Sequence, residues 1–227
     1  MTFRLAKVIP WGRNFDEYIR MFNLTESDLQ LNILDCASGP ASFNTEMTDQ
    51  GYQVISCDPI YQFTTEEIYQ RIQDTYQTVI NGVQANFNNY IWTDIKSPED
   101  LGEVRMAAME KFITDFPRGF SQGRYITCEL PFLPFHKAQF DLALCSHFLF
   151  AYSDHFSAEF HLNALRELCR VSREVRIFPL LTISGKLSPF VALAQEKVET
   201  EGYLTEIQTV SYEFQKGGNQ MLLVKRA

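Results

Sequence analysis

Short apolar runs bounded by turn residues recur along the chain, at about 32–35, 52–58, 125–129, 140–146 and 174–180. Runs of this length with little polar alternation are what strands covered on both faces require. Between them the apolar period lengthens to that of helices. Phe15, Tyr18, Ile19 and Phe22 share one face of a helix over 15–22, and 25–29 reads as a capped turn before the first strand. Residues 40–50 read as a helix that opens at Pro40 and closes at Gly51, with proline and glycine in their favoured places. A helix over 158–171 turns Phe160, Ala164, Leu165 and Leu168 inward, and another over 189–201 ends at Gly202. Two last strand-like runs, 204–214 and 220–225, flank Gly217-Gly218 and predict a hairpin. Strands alternating with helices predict an α/β fold.

The stretch from 60 to 123 breaks this rhythm, because an ordinary crossover between parallel strands needs only ~10–12 residues. Thr64-Thr65-Glu66-Glu67 is a capping box. Behind it Ile68, Ile72, Tyr76, Val79 and Val83 keep helical spacing. Ser97-Pro98-Glu99-Asp100 starts a second helix, with Leu101, Val104, Ala108, Met109, Phe112 and Phe116 in line, expected to stop at Pro117. Two amphipathic helices must bury their stripes. An inserted helical cap over 60–123 follows, to wall a substrate cleft, to offer a homodimer face, or to thicken the core.

Composition narrows the class. With 227 residues, 45% of them hydrophobic, the chain can build one core, and a single domain over 1–227 is expected. A net charge of −8 gives no general attraction to phosphate backbones, so nucleic acid is a poor partner. Arg166, Arg170, Arg173 and Arg176 form the nearest thing to a basic patch and read as an exposed helix face and its exit turn. No basic start followed by an apolar stretch predicts a signal peptide, and no apolar run approaches a membrane span. The five cysteines form no C-x-x-C pair and lie mostly in or beside strand-like runs, so reduced thiols in a cytoplasmic protein, with no metal site, are expected.

The chemistry centres on Ile33-Leu34-Asp35-Cys36-Ala37-Ser38-Gly39-Pro40-Ala41-Ser42-Phe43. An apolar strand ends on an acid, a turn of small residues follows, and a helical pattern opens. Such a junction lets backbone N–H groups approach a polar ligand. Asp58 ends the next apolar run, 19 residues after Gly39, the spacing of an acid that binds ribose hydroxyls. Ser146 and His147 follow the fourth strand, and ligands of open α/β sheets bind beyond the carboxyl ends of strands. His147 is the candidate general base, with an unperturbed pKa near ~6.5, and Tyr152 a weaker one. Phe148, Phe150, Tyr152, Trp92 and Phe132 could line an aromatic pocket, but stripes of this kind are usually core and none of them is assigned to it.

In order and spacing these motifs resemble class I S-adenosylmethionine-dependent methyltransferases, over most of the chain. Their first motif is L-D-x-G-x-G-x-G; here it is Leu34-Asp35-Cys36-Ala37-Ser38-Gly39-Pro40-Ala41, with Ala37 and Ala41 replacing two glycines. Asp58-Pro59 looks like the family's ribose-binding acid. Leu133-Pro134-Phe135 through Phe140-Asp141 is similar to its L-P-F-x(4)-F-D run, and Phe140 to His147 resembles the fourth strand and its exit. Leu165 to Val171 matches the next helix, after which Ser172-Arg173-Glu174 stands where the family has a proline and a double glycine, a change expected to touch only a surface turn.

The resemblance implies a Rossmann-like, seven-stranded, mostly parallel sheet with a C-terminal antiparallel hairpin and the helical cap as an insertion. It implies S-adenosylmethionine as methyl donor. Asp35, Ala37 and Gly39 of the turn would bind the cofactor, Asp58 and Pro59 its ribose, Glu129 and the Leu130 N–H its adenine, with Ser146 beside them. Asp35 would fix the turn and meet the donor's ammonium directly or through water. Tyr18 or Arg13, on the segment before the first strand, would meet its carboxylate. The expected activity is methyl transfer to a small-molecule acceptor. The rival reading, suggested by the missing glycines, is a methyltransferase-like cofactor-binding or regulatory protein without turnover.

Overall fold

A computed structural model describes residues 9–227, so residues 1–8 of the expected 1–227 domain lie outside it. In chain order the elements are α1 (Phe15–Met21), α2 (Glu26–Leu29), β1 (Ile33–Cys36), α3 (Phe43–Asp49), β2 (Val54–Cys57), α4 (Thr65–Ala85), α5 (Pro98–Ser121), β3 (Tyr125–Ile126), β4 (Phe140–Ser146), α6 (Ala158–Val171), β5 (Ser172–Phe178), α7 (Val191–Thr200), β6 (Tyr203–Thr209) and β7 (Gln220–Arg226). The strands form one sheet of seven in the order β3-β2-β1-β4-β5-β7-β6. Strands β1 to β5 pair in parallel, and β7 lies antiparallel to both β5 and β6. The resemblance implied this architecture.

Side chains of a strand alternate between faces, and the two halves of the core follow from that. Leu34, Ala143 and Cys145 face α6 and α7, where Ala164, Leu165, Leu168, Ala194 and Val198 meet them. Ile33, Leu142 and Leu144 face the other way, against Tyr18, Phe22, Phe43 and Met47 of α1 and α3. The capping box of α4 is formed, with Thr64 and Glu67 each accepting the other's backbone N–H. Helices α4 and α5 bury their stripes inside the chain: Ile68, Ile72, Met109, Phe112 and Phe116 pack with Tyr61 and Tyr125. Each arginine of the apparent basic patch is paired: Arg166 with Glu201, Arg170 with Glu167, Arg173 with Asp141, and Arg176 with Asp28 and Glu174.

Several boundaries differ from the sequence reading, each for a physical reason. Helix α5 runs through Pro117 to Ser121. Phe116 and Gly119 press on the Tyr125 ring, and Asp115 pairs with Arg118 and Arg124. These contacts outweigh the ~3 kcal/mol that an interior proline costs. Strand β3 ends at Ile126, short of 129, because β2 gives way after Cys57 and leaves nothing to pair with. Helix α3 starts at Phe43, three residues after Pro40, since residues 37–42 are spent on a turn with Ala37 and Gly39 at positive φ. Strand β5 begins at Ser172 directly after α6, so no surface turn exists there; the Ser172 hydroxyl and N–H both donate to the Leu168 carbonyl. The expected antiparallel hairpin forms between β6 and β7, but its connection is a long excursion over 210–219, because Val210, Tyr212 and Phe214 leave the ladder to pack elsewhere.

Candidate functional site

The carboxyl ends of β1, β2 and β4 open on one cleft. Its floor is the turn after β1. Ala37 and Gly39 stand at φ +56° and +55°, so the turn takes its left-handed form even with alanine at the first of the two positions. The Ala37 N–H donates to the Cys57 carbonyl at 2.8 Å. Tyr61 clamps the turn from the side: its hydroxyl donates to the Gly39 carbonyl at 2.8 Å and lies 2.7 Å from the Ser38 hydroxyl. Above Gly39 nothing lies within 4 Å of where a Cβ would stand, which leaves its backbone open to a ligand.

Asp58 is oriented by two backbone donors, Gly39 N–H to Oδ2 at 2.9 Å and Ile60 N–H to Oδ1 at 2.8 Å. It caps the 3₁₀ turn Pro59–Gln62 and faces the cleft at once. Burial and the nearby Glu129 push its pKa up to about 6, against those two hydrogen bonds. Glu129 sits beyond β3 in a one-residue bridge with Phe132, and burial raises its pKa too. Ala37, Gly39, Asp58, Pro59, Glu129, Leu130, Ser146 and His147 thus share one cleft. Asp35 does not reach the cleft wall. It is wholly buried beneath, accepting from the Tyr18 hydroxyl at 3.0 Å and the Ser56 hydroxyl at 3.2 Å. Burial, with Asp58 adding to it, pushes its pKa up to about 7.

His147 takes φ +51° and is fixed there by its N–H, which donates to the Phe178 carbonyl at 2.6 Å. Its Nδ1 lies 2.9 Å from the Ser146 hydroxyl. Burial, then Arg13 and Arg105, hold its pKa well below the ordinary imidazole value, so the ring is neutral. Tyr152 also lines the cleft; its hydroxyl accepts from the Ile9 N–H at 3.3 Å. Of the other aromatic candidates Phe148 lines the cleft, Phe150 is core, and Phe132 is 81% exposed.

The segment before α1 forms the near wall. Gly12 lies so close to the turn that an added Cβ would stand 2.1 Å from the Pro40 carbonyl oxygen, and the Arg13 carbonyl accepts from Ser42 N–H at 3.0 Å. Arg13 donates to the Trp11 carbonyl at 2.7 Å, but its buried Nε has no partner. Three residues escaped the sequence reading. Arg105 of α5 forms a buried ion pair with Glu17 of α1, and the Tyr212 hydroxyl donates to Glu17 at 2.9 Å. A signal for one of them was present, since Arg105 interrupts the apolar stripe of Leu101, Ala108 and Phe112 at helical spacing. Trp11, Val79, Val83, Leu101 and Phe214, which belong to one apolar cluster, also line the cleft. Among the described residues no cluster of His, Cys, Asp and Glu could hold a metal ion, and no helix is long and apolar enough to cross a membrane.

No family model matches the chain. Among solved structures it is similar to the magnesium protoporphyrin IX methyltransferase of Synechocystis PCC 6803 with bound SAM, 14% identical over 87% of this chain and 70% of that one, with a TM-score of 0.44. It is similar also to a SAM dependent methyltransferase from Aquifex aeolicus, 13% identical over 92% of this chain and 90% of that one, with a TM-score of 0.41. Both likenesses are too distant to argue chemistry from. Sequence similarity is much stronger to a Methanocaldococcus jannaschii protein, "Uncharacterized protein MJ0045", 37% identical over 223 residues that make up 98% of either chain. The chain belongs to the family of that archaeal protein.

Proposed function

We propose that this chain is an S-adenosylmethionine-dependent methyltransferase acting on a small-molecule acceptor. It would be one domain over 1–227 whose helical insertion over 60–123 walls the acceptor half of the cleft. The observation that carries this reading is Asp58, aimed by the Gly39 and Ile60 N–H groups across an open glycine turn, with Glu129 on the same wall. A nucleoside fits that donor and acceptor set: Asp58 accepts from ribose hydroxyls, Glu129 from an adenine amino group, and the Leu130 N–H meets the ring. The partnerless Nε of Arg13 fits the carboxylate of an amino-acid tail, which fills a need that the protein leaves open. Asp35, turned away from the cleft, has no direct contact with the donor in this reading and shapes the turn from below.

When bound, S-adenosylmethionine supplies an electrophilic methyl group. The protein's part is alignment and exclusion of water, to which the apolar lining of Trp11, Val79, Val83, Leu101 and Phe214 contributes for an apolar acceptor. His147 and Ser146 line the same cleft, and burial keeps His147 neutral and so able to take a proton. Five unpaired cysteines suit a reducing, cytoplasmic setting. Calorimetric titration with S-adenosylhomocysteine tests the reading. We expect binding that weakens by about 1–3 kcal/mol in Asp58→Ala, the range for a lost charged hydrogen bond. Binding should also weaken as pH falls through about 6, where Asp58 gains its proton. No heat at any pH, or an affinity unchanged in Asp58→Ala, would remove the assignment.

A further inference from the structure

Arg105 is only 1% exposed, yet it lines the cleft. A guanidinium carries five N–H donors. The protein uses two of those on Arg105: Nη1 donates to Glu17 Oε2, and Nη2 donates to the Tyr212 hydroxyl at 3.3 Å. The buried Nε has no partner. A buried donor left unsatisfied is unfavourable, so such a group marks a place that water or a ligand completes.

The surroundings narrow the chemistry of that ligand. Leu101 lies one helical turn before Arg105 on the same face of α5, and it packs in the cluster that holds Trp11, Tyr90 and Phe214. The rings of Tyr90 and Phe214 stack with centroids 4.8 Å apart, and both residues line the cleft. Tyr212, which accepts from Nη2, stands two residues before Phe214. Arg105 therefore ends an apolar wall rich in aromatic rings. Met109, one turn further along α5, lies beside the segment that carries Trp11 and Arg13: a Cβ on Gly12 would stand 3.0 Å from Met109 Cγ. Arg13 lines the cleft as well, donates to the Trp11 carbonyl, and keeps a buried Nε without a partner. Burial, then the like charge of Arg105, lower its pKa, and an anion in the cleft relieves that repulsion.

We propose that the acceptor is an aromatic carboxylic acid, its ring on the wall of Trp11, Leu101, Tyr90 and Phe214 and its carboxylate on the free N–H groups of Arg105. This rests on the methyltransferase reading above, in which the donor's own carboxylate takes Arg13. Two carboxylate oxygens match two N–H groups of a planar guanidinium, which a single neutral oxygen does not. The donor brings a sulfonium and an ammonium into the cleft, and an anionic acceptor balances them. A doubly charged group fits less well, because Asp58 and Glu129 line the same cleft. Arg105 is thus a specificity residue, which anchors the acceptor and moves no proton.

Calorimetric titration of the full chain tests this, with benzoate, naphthoate and anthracenecarboxylate each beside its uncharged primary amide. The titrations are run with and without saturating S-adenosylhomocysteine. At least one carboxylate is expected to bind about tenfold tighter than its amide, the worth of a charged hydrogen bond, under both conditions. Arg105→Met together with Glu17→Gln, which strands no charge, should erase that preference and leave S-adenosylhomocysteine binding unchanged. Arg13→Gln, titrated without S-adenosylhomocysteine, should keep the preference. If the double variant does not fold, Arg105→Lys serves: it keeps the charge, loses the planar fork, and should cut the preference about threefold or more. Four results overturn the proposal: no carboxylate binds, an amide binds as tightly, S-adenosylhomocysteine displaces the carboxylate, or the preference survives in a folded Arg105 variant. Its loss in Arg13→Gln overturns it too. Failure of S-adenosylhomocysteine to bind, with a carboxylate preference that depends on Arg105, rejects the methyltransferase reading instead and leaves the anion site standing.

Discussion

Asp35 and Asp58 end adjacent strands, yet they do different work because one lies below the glycine turn and the other above it. The short, nearly continuous apolar runs that they close made both legible as strand-end acids. What the sequence could not show was depth: Tyr18, seventeen positions earlier, reaches Asp35 and keeps it from the cleft. A carboxyl with its folded pKa raised from 3.8 to about 7 has a definite effect on stability. Between those values the folded state holds a proton that the unfolded chain has already lost. Stability therefore falls as pH rises through that window and is constant on either side. The unfolding free energy of the natural chain minus that of Asp35→Asn should decline from about pH 4 to about pH 7 and then level, as read by urea titrations at a series of pH values. A flat difference would mean that Asp35 ionises as easily in the fold as in the unfolded chain. Ala37 teaches the complementary lesson. A methyl group at a left-handed position is a modest strain, and the hydrogen bond to the Cys57 carbonyl and the Tyr61 clamp on the same turn hold it.

At the scale of elements, periodicity placed most of the helices and the central strands, since burial of one face writes itself into the spacing. It failed where contacts from distant elements decide an end: Pro117 inside α5, the short β3, and the excursion after β6. The segment before α1 carries little periodicity, yet it seals the floor of the cleft through Gly12. Gly12→Ala would push a methyl group into the Pro40 carbonyl, and only movement of the backbone could relieve it. The expected loss is about 1–3 kcal/mol in unfolding free energy, the usual cost of overpacking, with weaker S-adenosylhomocysteine binding because Arg13 moves with the segment. Denaturant unfolding and calorimetry read the two effects separately. Unchanged stability would show that 10–13 can lift from the turn at no cost.

Across the whole molecule, the Glu17–Arg105–Tyr212 knot joins parts that are far apart in sequence: the first helix, the insertion and the β6–β7 excursion. Breaking one side of a buried pair strands the other charge. Arg105→Met should therefore cost about 3–5 kcal/mol, whereas Glu17→Gln with Arg105→Met should recover much of that loss. Thermal and urea unfolding of the single and double variants give the coupling. If the double variant is as unstable as the single one, packing of the guanidinium stem, not its charge, holds the cap. The same knot bears on how the cleft is assembled. Tyr212 and Phe214 line it together with residues of the turn after β1, more than 170 positions earlier in the chain. Contacts so distant in sequence carry a high loop-closure cost, so the cleft is a product of the whole fold and not of the turn alone.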